Sequence, residues 1–237
     1  MSNERHLFNR IYDARDVIKK AIQALRRGEF VFLFDSEGRE EETDMVIASQ
    51  FITPEKIRFM RKEGGGLICT TLPKEYADRI GLPYLHEVFE KSGFPIFRYL
   101  TPKVKYDVLP SFSVTINHRE NYTGIPDKDR AKTIREFARF LERMNEMRSP
   151  MEEFGREFIS PGHVHLLISA GVDKRKGHTE LATTLMQLAN LIPSATIVEI
   201  LGDDGNSMSK EDAKKMANKL GIIFLEGKDI IDAWSKW

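Results

Sequence analysis

A short apolar run passes directly into a cluster of acids in residues 30–44, FVFLFDSEGREEETD. Residues 30–34 are apolar at every position, which predicts a strand buried on both faces. The acids begin at Asp35 and end at Asp44, so they gather beyond one end of that strand. Because ligands of α/β sheets often bind where strands end, this segment indicates a functional site in the acidic loop.

The loop has the residue types of a metal site or an acid–base site. Several carboxylates together can bind Mg²⁺ or transfer protons. Arg39 lies among them and could hold a substrate oxygen or a phosphate. A solvated acidic turn would have the same composition, because charge runs are common on protein surfaces. The spacing alone leaves both interpretations open.

Strands and helices are mixed along the whole chain, which predicts an α/β or α+β class and a single domain over residues 1–237. Residues 1–13 are expected to be a lead-in, and residues 82–110, with four prolines, give no clear pattern. The predicted strands cover residues 30–34, 45–51, 67–71, 112–117, 163–169, 194–200 and 222–225. Helices are predicted at residues 17–25, after Thr53, at 73–80, 131–141 and 181–189, after Ser209, and around Trp234.

A second candidate site is residues 175–180, RKGHTE, at the start of a predicted helix. Free backbone N–H groups and the helix dipole bind anions at such a start. Gly177 permits close approach of the backbone and Arg175 adds a charged fork, so the segment suits a phosphate. His178 could bind a metal ion. A basic turn in which Thr179 simply caps the helix is an equal alternative.

A third candidate is Glu199, which stands inside the apolar run ATIVEI, residues 195–200. Burial of a lone carboxylate is costly without a partner and raises its pKa, which suits proton transfer. An exposed position on the strand is the alternative. The following segment, residues 202–206, is rich in Gly, Asp and Asn, which favours a turn over a cation site.

Composition argues against several classes of partner, although local charged patches remain possible. Of the 237 residues, 36 are Lys or Arg and 36 are Asp or Glu, so no net charge attracts nucleic acid or membrane. No stretch approaches the roughly 20 apolar residues of a membrane helix. The single cysteine, Cys69, cannot form an intramolecular disulfide, and the N-terminal residues lack an apolar signal core. These features predict a soluble cytoplasmic protein.

Taken together, the motifs resemble the 3,4-dihydroxy-2-butanone 4-phosphate synthase family over most of the chain. The resemblance implies conversion of ribulose 5-phosphate into formate and 3,4-dihydroxy-2-butanone 4-phosphate, for riboflavin biosynthesis. It implies Mg²⁺, usually two ions and replaceable by Mn²⁺, with no organic cofactor. It also implies a three-layer α/β fold with a mixed sheet, and a homodimer. The segments that carry it are residues 39–44, 65–69, 123–125 with 129–130, 160–163, 177–180 and 203–205.

The resemblance assigns metal ligands and acid–base groups. Glu40 resembles a glutamate that bridges metal ions, and His178 a metal-binding histidine; both also fall at substrate-binding positions. Glu199 matches a carboxylate that transfers protons and contacts the substrate. Asp35 and Glu42 match pocket positions and are counted with the catalytic groups.

The resemblance also assigns contacts to the substrate. Arg39 and Asp44 match substrate-binding positions, the latter holding sugar hydroxyls. Cys69 matches a pocket position, and Thr123 is expected to reach in from the second subunit. The residues that match the phosphate cradle are Arg175, Lys176, Gly177 and Thr179.

The acidic loop departs from the family pattern. Many relatives have Arg-Glu-Asn-Glu-Gly-Asp where this chain has REEETD, residues 39–44. Glu41 adds a charge that could loosen the loop or tighten metal binding.

Two other classes of function remain open. A metal-dependent sugar-phosphate isomerase or aldolase would use the same residue types, and a non-catalytic phosphate-binding module could share the helix start.

Overall fold

Seven strands form one mixed sheet in the computed structural model, which describes residues 16–100 and 109–236. The order across the sheet is β4-β5-β3-β6-β2-β1-β7. The pairs β1–β7 and β3–β5 are parallel, and the other neighbours are antiparallel. The strands are β1 (Val31–Phe34), β2 (Thr43–Ala48), β3 (Cys69–Pro73), β4 (Phe112–His118), β5 (Phe158–Ser169), β6 (Ala195–Glu199) and β7 (Ile223–Glu226).

Helices cover both faces of the sheet. One core contains residues of α2, α3, α6 and α9, and the other contains residues of α1, α8 and α10. This is the expected three-layer α/β sandwich with a mixed sheet. The helices are α1 (residues 16–26), α2 (Pro54–Phe59), α3 (Lys74–Ile80), α4 (Leu85–Lys91), α5 (Phe97–Leu100), α6 (Asp127–Arg143), α7 (Pro150–Glu157), α8 (His178–Leu188), α9 (Lys210–Leu220) and α10 (Gly227–Trp234).

Strand β1 is buried on both faces, as its unbroken apolar run predicts. Val31 and Leu33 pack into the core under α8, and Phe32 packs into the opposite core. The register then brings the site segments to one place. Phe34 at the end of β1 pairs with the first residue of β2, and Asp44 of β2 pairs with Glu199 at the end of β6. The acidic loop and Glu199 are therefore neighbours.

Several predicted boundaries are wrong, each for a local reason. The strand predicted over residues 45–51 ends at Ala48, because residues 49–51 form a single helical turn. The strand predicted at residues 67–71 begins at Cys69, because the backbone of Gly66 instead donates to the carbonyl of Glu199 (3.1 Å). The unassigned stretch after residue 81 contains α4 and α5, neither with a buried residue. Helix α7 was not predicted from the sequence, because it too has no buried residue.

Other expectations are confirmed or lie outside the described residues. Thr53 caps α2 through its side chain, and Ser209 caps α9, which ends at Gly221 in the left-handed conformation. No helix within the described ranges combines the length and apolar character needed to cross a membrane. The lead-in at residues 1–13 lies outside the described part of the chain, and the single domain over the full length stays a prediction.

Candidate active site

Asp35 organises the acidic loop from inside. Its buried carboxylate accepts hydrogen bonds from the backbone N–H groups of Glu40 (3.0 Å) and Glu42 (3.2 Å). It also pairs with the guanidinium of Arg39 at 3.1 Å. These contacts fold the loop around one buried carboxylate. They therefore fix the backbone positions of Glu40 and Glu42 and the guanidinium of Arg39.

His178, the first residue of α8, faces this loop with both ring nitrogens. Nδ1 lies 3.0 Å from Oε2 of Glu40, and Nε2 lies 3.2 Å from the carbonyl oxygen of Glu42 and 3.7 Å from Oδ1 of Asp44. Burial disfavours the charged ring, but the charges of Asp44, Glu40 and Asp35 outweigh it and raise the pKa of His178 to about 10. The histidine and the acidic loop form one charged cluster.

The carboxylates around His178 differ in their environment. Burial opposes the charge of Glu40, but the hydrogen bond from His178 and the nearby arginines prevail and lower its pKa to about 2. Asp44 is enclosed more completely, and Oδ1 has no hydrogen-bond partner among the described residues. Burial and the surrounding carboxylates raise the pKa of Asp44 to about 8, against the effect of His178.

This cluster has the donor set of a divalent metal site. Ligand atoms of Asp35, Glu40 and His178 lie within 4.8 Å of one another. Carboxylate oxygens suit Mg²⁺ and Mn²⁺, and imidazole suits the latter especially. Because the Asp35 carboxylate already binds two amides and an arginine, Glu40 and His178 are the better available donors. The unpartnered oxygen of Asp44 faces the same cluster.

Two arginines converge over Gly177, next to the start of α8. A Cβ atom at position 177 would lie 2.4 Å from Nη1 of Arg175 and 2.5 Å from Nη2 of Arg39. Arg175 is held by the fully buried Glu180 at 2.7 Å, as Arg39 is held by Asp35. Paired guanidiniums at a helix N-terminus form a favourable environment for a phosphate.

Glu199 approaches the cluster from the end of β6. Its Oε2 accepts a hydrogen bond from the backbone N–H of Leu67 (2.7 Å). The chain passes so close that a Cβ at Gly66 would lie 2.3 Å from that oxygen. Burial raises the pKa of Glu199, although the hydrogen bond from Leu67 opposes the shift. A partly buried, fixed carboxylate of raised pKa is suited to proton transfer.

These groups surround one cavity of ≈ 260 Å³ on the sheet face that carries α8. Its lining includes nine of the residues expected from the sequence. Those nine are Arg39, Glu40, Glu42, Asp44, Cys69, Arg175, His178, Thr179 and Glu199. The structure thus brings together residues that are up to 160 positions apart in the chain, as the register of β2 and β6 requires.

Four expected site residues do not line this cavity. Asp35 lies behind the loop, and Gly177 supports the two arginines. Lys176 is exposed, and Thr123 is exposed on the loop after β4, where its amide binds Asp129 (3.3 Å). Asp35 therefore has the contacts of a residue that positions the loop. Its assignment as catalytic, like the roles of the other three, stays a prediction.

Several residues around the cavity were not predicted from the sequence. Glu180 and the amide of Leu67 each hold a functional side chain, and both stand inside the segments that carry the family resemblance. Ser207 binds Glu42 from a distant turn, for which the sequence offers no signal. Apolar and small walls come from β4, β5 and β6 and their approaches, namely Pro110, Ser111, Phe112, Leu167 and Ile197.

The unusual Glu41 turns away from the cavity. It adopts a left-handed backbone with φ of 59°, the conformation that Asn tolerates better than Glu. Its carboxylate accepts a hydrogen bond from the amide of Gly38 (2.6 Å) and the residue is exposed. The extra charge therefore stabilises the turn locally and adds no negative charge to the lining.

Comparisons with known proteins agree on one family. A family model for 3,4-dihydroxy-2-butanone 4-phosphate synthase matches residues 19–233. The synthase of Methanothermobacter thermautotrophicus is 42% identical over 227 residues, which cover 93% of this chain and 97% of that relative. A solved Candida albicans synthase superposes with a TM-score of 0.70 at 30% identity, covering 91% of this chain and 96% of that one. A synthase solved with two magnesium ions gives 0.72 at 27% identity, covering 92% and 96%.

Fold and site together define a three-layer α/β protein in which a buried carboxylate–histidine cluster and two arginines share one cavity. Such a site suits a small anionic substrate and a divalent metal ion. The chain belongs to the 3,4-dihydroxy-2-butanone 4-phosphate synthase family.

Proposed function

We propose that this protein converts ribulose 5-phosphate into formate and 3,4-dihydroxy-2-butanone 4-phosphate, a precursor for riboflavin biosynthesis. The observation that carries the proposal is the single cavity shared by the Glu40–His178 pair and the guanidiniums of Arg39 and Arg175. Membership of the synthase family supports the same reaction. The activity places the protein among the lyases.

The cavity fits the proposed substrate in size and charge. At ≈ 260 Å³ it falls just below the about 300–1,000 Å³ of pockets for drug-sized ligands, which suits a five-carbon sugar phosphate. Arg175, Arg39 and the first N–H groups of α8 would hold the phosphate, with Thr179 beside them. Asp44, deep in the cavity, would bind sugar hydroxyls, and Cys69 would contribute to the wall.

We propose that Glu40 and His178 hold divalent metal, Mg²⁺ or Mn²⁺, as in the family. When bound, the metal would act as a Lewis acid that makes the C–H group beside the substrate carbonyl easier to deprotonate. A synthase of this family is known in complex with two magnesium ions, which supports a two-ion site. Asp35 would position the loop that carries Glu40, and its catalytic role stays a prediction.

Proton transfer falls to the carboxylates that line the cavity. Glu199 is held by the Leu67 amide and burial raises its pKa, so it is the first candidate for proton transfer. Glu42 lines the same cavity and is the second candidate for proton transfer. The Phe112, Leu167 and Ile197 walls would exclude water from the reacting atoms.

We also propose that the protein is a homodimer and that it is located in the cytoplasm. Thr123 lies outside the cavity of its own chain, between the exposed Tyr122 and Ile125. A second subunit that covers these apolar side chains could place Thr123 near its own cavity. The cytoplasmic location rests on the sequence alone.

The deciding experiment is incubation with ribulose 5-phosphate and Mg²⁺, followed by a formate assay. Formate should appear, EDTA should stop its release, and Mg²⁺ or Mn²⁺ should restore it. Glu40→Gln and His178→Ala should abolish release while circular dichroism remains that of the wild type. A changed sugar phosphate without formate would indicate an isomerase or aldolase, and binding without turnover would indicate a non-catalytic module.

A further inference from the structure

The turn after β6 is a tight hairpin that returns the chain toward the acidic loop. Leu201 and Ser207 pair as an antiparallel bridge, and the N–H of Gly202 donates to the carbonyl of Asn206 (2.8 Å). The side chain of Asp204 accepts from the amide of Asn206 (3.0 Å), which fixes the tip. Because β6 also carries Glu199, the hairpin is joined directly to the candidate active site.

Ser207, on the returning arm, contacts a residue of the cavity. Its hydroxyl donates a hydrogen bond to Oε1 of Glu42. The backbone of Glu42 is held independently, since its amide binds Asp35 and its carbonyl faces His178. The backbone contacts fix the position of the Glu42 main chain, and the hydrogen bond from Ser207 fixes the position of its carboxylate.

Lys210, the first residue of α9, contacts the opposite arm of the acidic loop. Its ammonium lies 3.0 Å from Oε1 of Glu37 and 3.3 Å from Oε1 of Glu226. It also lies 4.4 Å from the ring centroid of Phe34, at the end of β1. The hairpin therefore contacts the acidic loop at Glu42, and the start of α9 contacts it at the exposed Glu37, on the other side of Arg39 and Glu40.

Electrostatic repulsion explains why Glu42 needs such a contact. Its carboxylate shares the cavity with those of Glu40, Asp44 and Glu199. The charged carboxylate of Glu40 repels that of Glu42 in this partly buried site, so a free Glu42 side chain would rotate toward solvent. A hydroxyl donor on a rigid hairpin opposes that rotation.

We propose that residues 202–210 form a latch that positions the acidic loop, with Ser207 aiming the Glu42 carboxylate into the cavity and Lys210 fixing the Glu37 side. Ser207 is a positioning residue, because it acts through Glu42. The inference rests on the proposed function for its effect on turnover. Its effect on the loop itself does not depend on that function.

The kinetic test compares substitutions at Ser207. Ser207→Ala should lower kcat for formate release about tenfold, the effect of losing one hydrogen bond to a charged group, while KM for ribulose 5-phosphate stays nearly unchanged. Ser207→Thr keeps the hydroxyl and should restore kcat. Ser235→Ala is the matched control, since it removes an exposed hydroxyl that donates to the carbonyl of Asp232 in α10, outside residues 202–210. Wild-type kcat in a folded Ser207→Ala protein would refute the role of Ser207.

Hydrogen exchange tests the latch without the reaction. Amides of residues 36–42 should exchange faster in Ser207→Ala and in Lys210→Met than in the wild type. They should be unchanged in the control Lys215→Met, which removes an exposed ion pair on the same helix. Unchanged exchange in both latch variants would overturn the proposal. If the wild type releases no formate, the proposed function fails, and the exchange result still decides the latch.

Discussion

At the scale of single residues, a substitution of Glu199 can distinguish its role in proton transfer from its role in shaping the cavity. Glu199→Gln keeps the shape and an oxygen that can accept from Leu67, but it cannot take up or release a proton. We expect formate release to be lost while calorimetry still detects ribulose 5-phosphate in the presence of Mg²⁺.

The control for this substitution is Glu211→Gln, on the exposed first turn of α9. It should keep full turnover. Near-normal formate release from Glu199→Gln would show that Glu199 does not transfer the proton.

His178 should link metal binding to pH. Both ring nitrogens face oxygen acceptors and its pKa is raised to about 10, so the ring is protonated at neutral pH. A metal ion binds the neutral ring, so binding must release that proton, and Mn²⁺ affinity should rise as pH increases toward 10. Calorimetry in buffers of different ionisation enthalpy measures the release directly.

In His178→Ala this proton should no longer be released. Mn²⁺ affinity that does not change between pH 6 and about 9 in the wild type would contradict the raised pKa of His178, and wild-type Mn²⁺ affinity in His178→Ala would exclude His178 as a ligand.

The buried hydroxyl of Thr43 is expected to lower the stability of the fold. Its hydroxyl is fully buried in β2 and has no hydrogen-bond partner among the described residues. Thr43→Val removes that hydroxyl at nearly constant shape, so the free energy of unfolding should rise by about 1 kcal/mol. Urea denaturation measures the change.

Thr196 on β6 is the matched control, because it is equally buried but bonded to the hydroxyl of Ser49 (2.9 Å). Thr196→Val should lower stability by about 1 kcal/mol. Equal effects of the two substitutions would contradict this account.

At the scale of elements, the turn between α2 and β3 determines how close the backbone comes to Glu199. A methyl group at Gly66 would lie 2.3 Å from Oε2 and 2.8 Å from the carbonyl oxygen of Glu199, so the carboxylate or the turn must move. Gly66→Ala should therefore reduce formate release at least about tenfold, an effect of positioning, while the protein stays folded.

Gly155→Ala in α7 is the control, since a Cβ there meets nothing within 4 Å and the backbone is helical. It should leave turnover unchanged and stabilise the fold slightly. Full activity in Gly66→Ala would mean that Glu199 need not lie where the structure places it.

At the scale of the whole molecule, the exposed apolar side chains beside Thr123 predict association. Tyr122 is 99% exposed and Ile125 is 52% exposed, next to an edge strand, β4, whose outer side pairs with no other strand in the described residues. We expect light scattering to give the mass of a dimer at micromolar concentration. The double substitution Tyr122→Ser and Ile125→Ser should weaken the dimer. Met151→Ser, which also changes an exposed apolar side chain, is the control and should leave the dimer unchanged. A monomer in an active preparation would contradict the dimer.

The sequence by itself determined the local elements and the residue types of the site. The unbroken apolar run of β1 and the caps at Thr53 and Ser209 depend on near neighbours, so they could be predicted. Weakly buried helices such as α7 and the true ends of β2 and β3 could not, because few local contacts define them.

Only the tertiary structure decided which of these groups meet. Glu40 and His178 lie 138 positions apart, and Ser207 lies 165 positions from Glu42. Their contacts follow from the order of strands and the register of β2 with β6, which no local pattern encodes. The opposite pKa shifts of Glu40 and Asp44 likewise depend on burial and on neighbours that only the packed chain supplies.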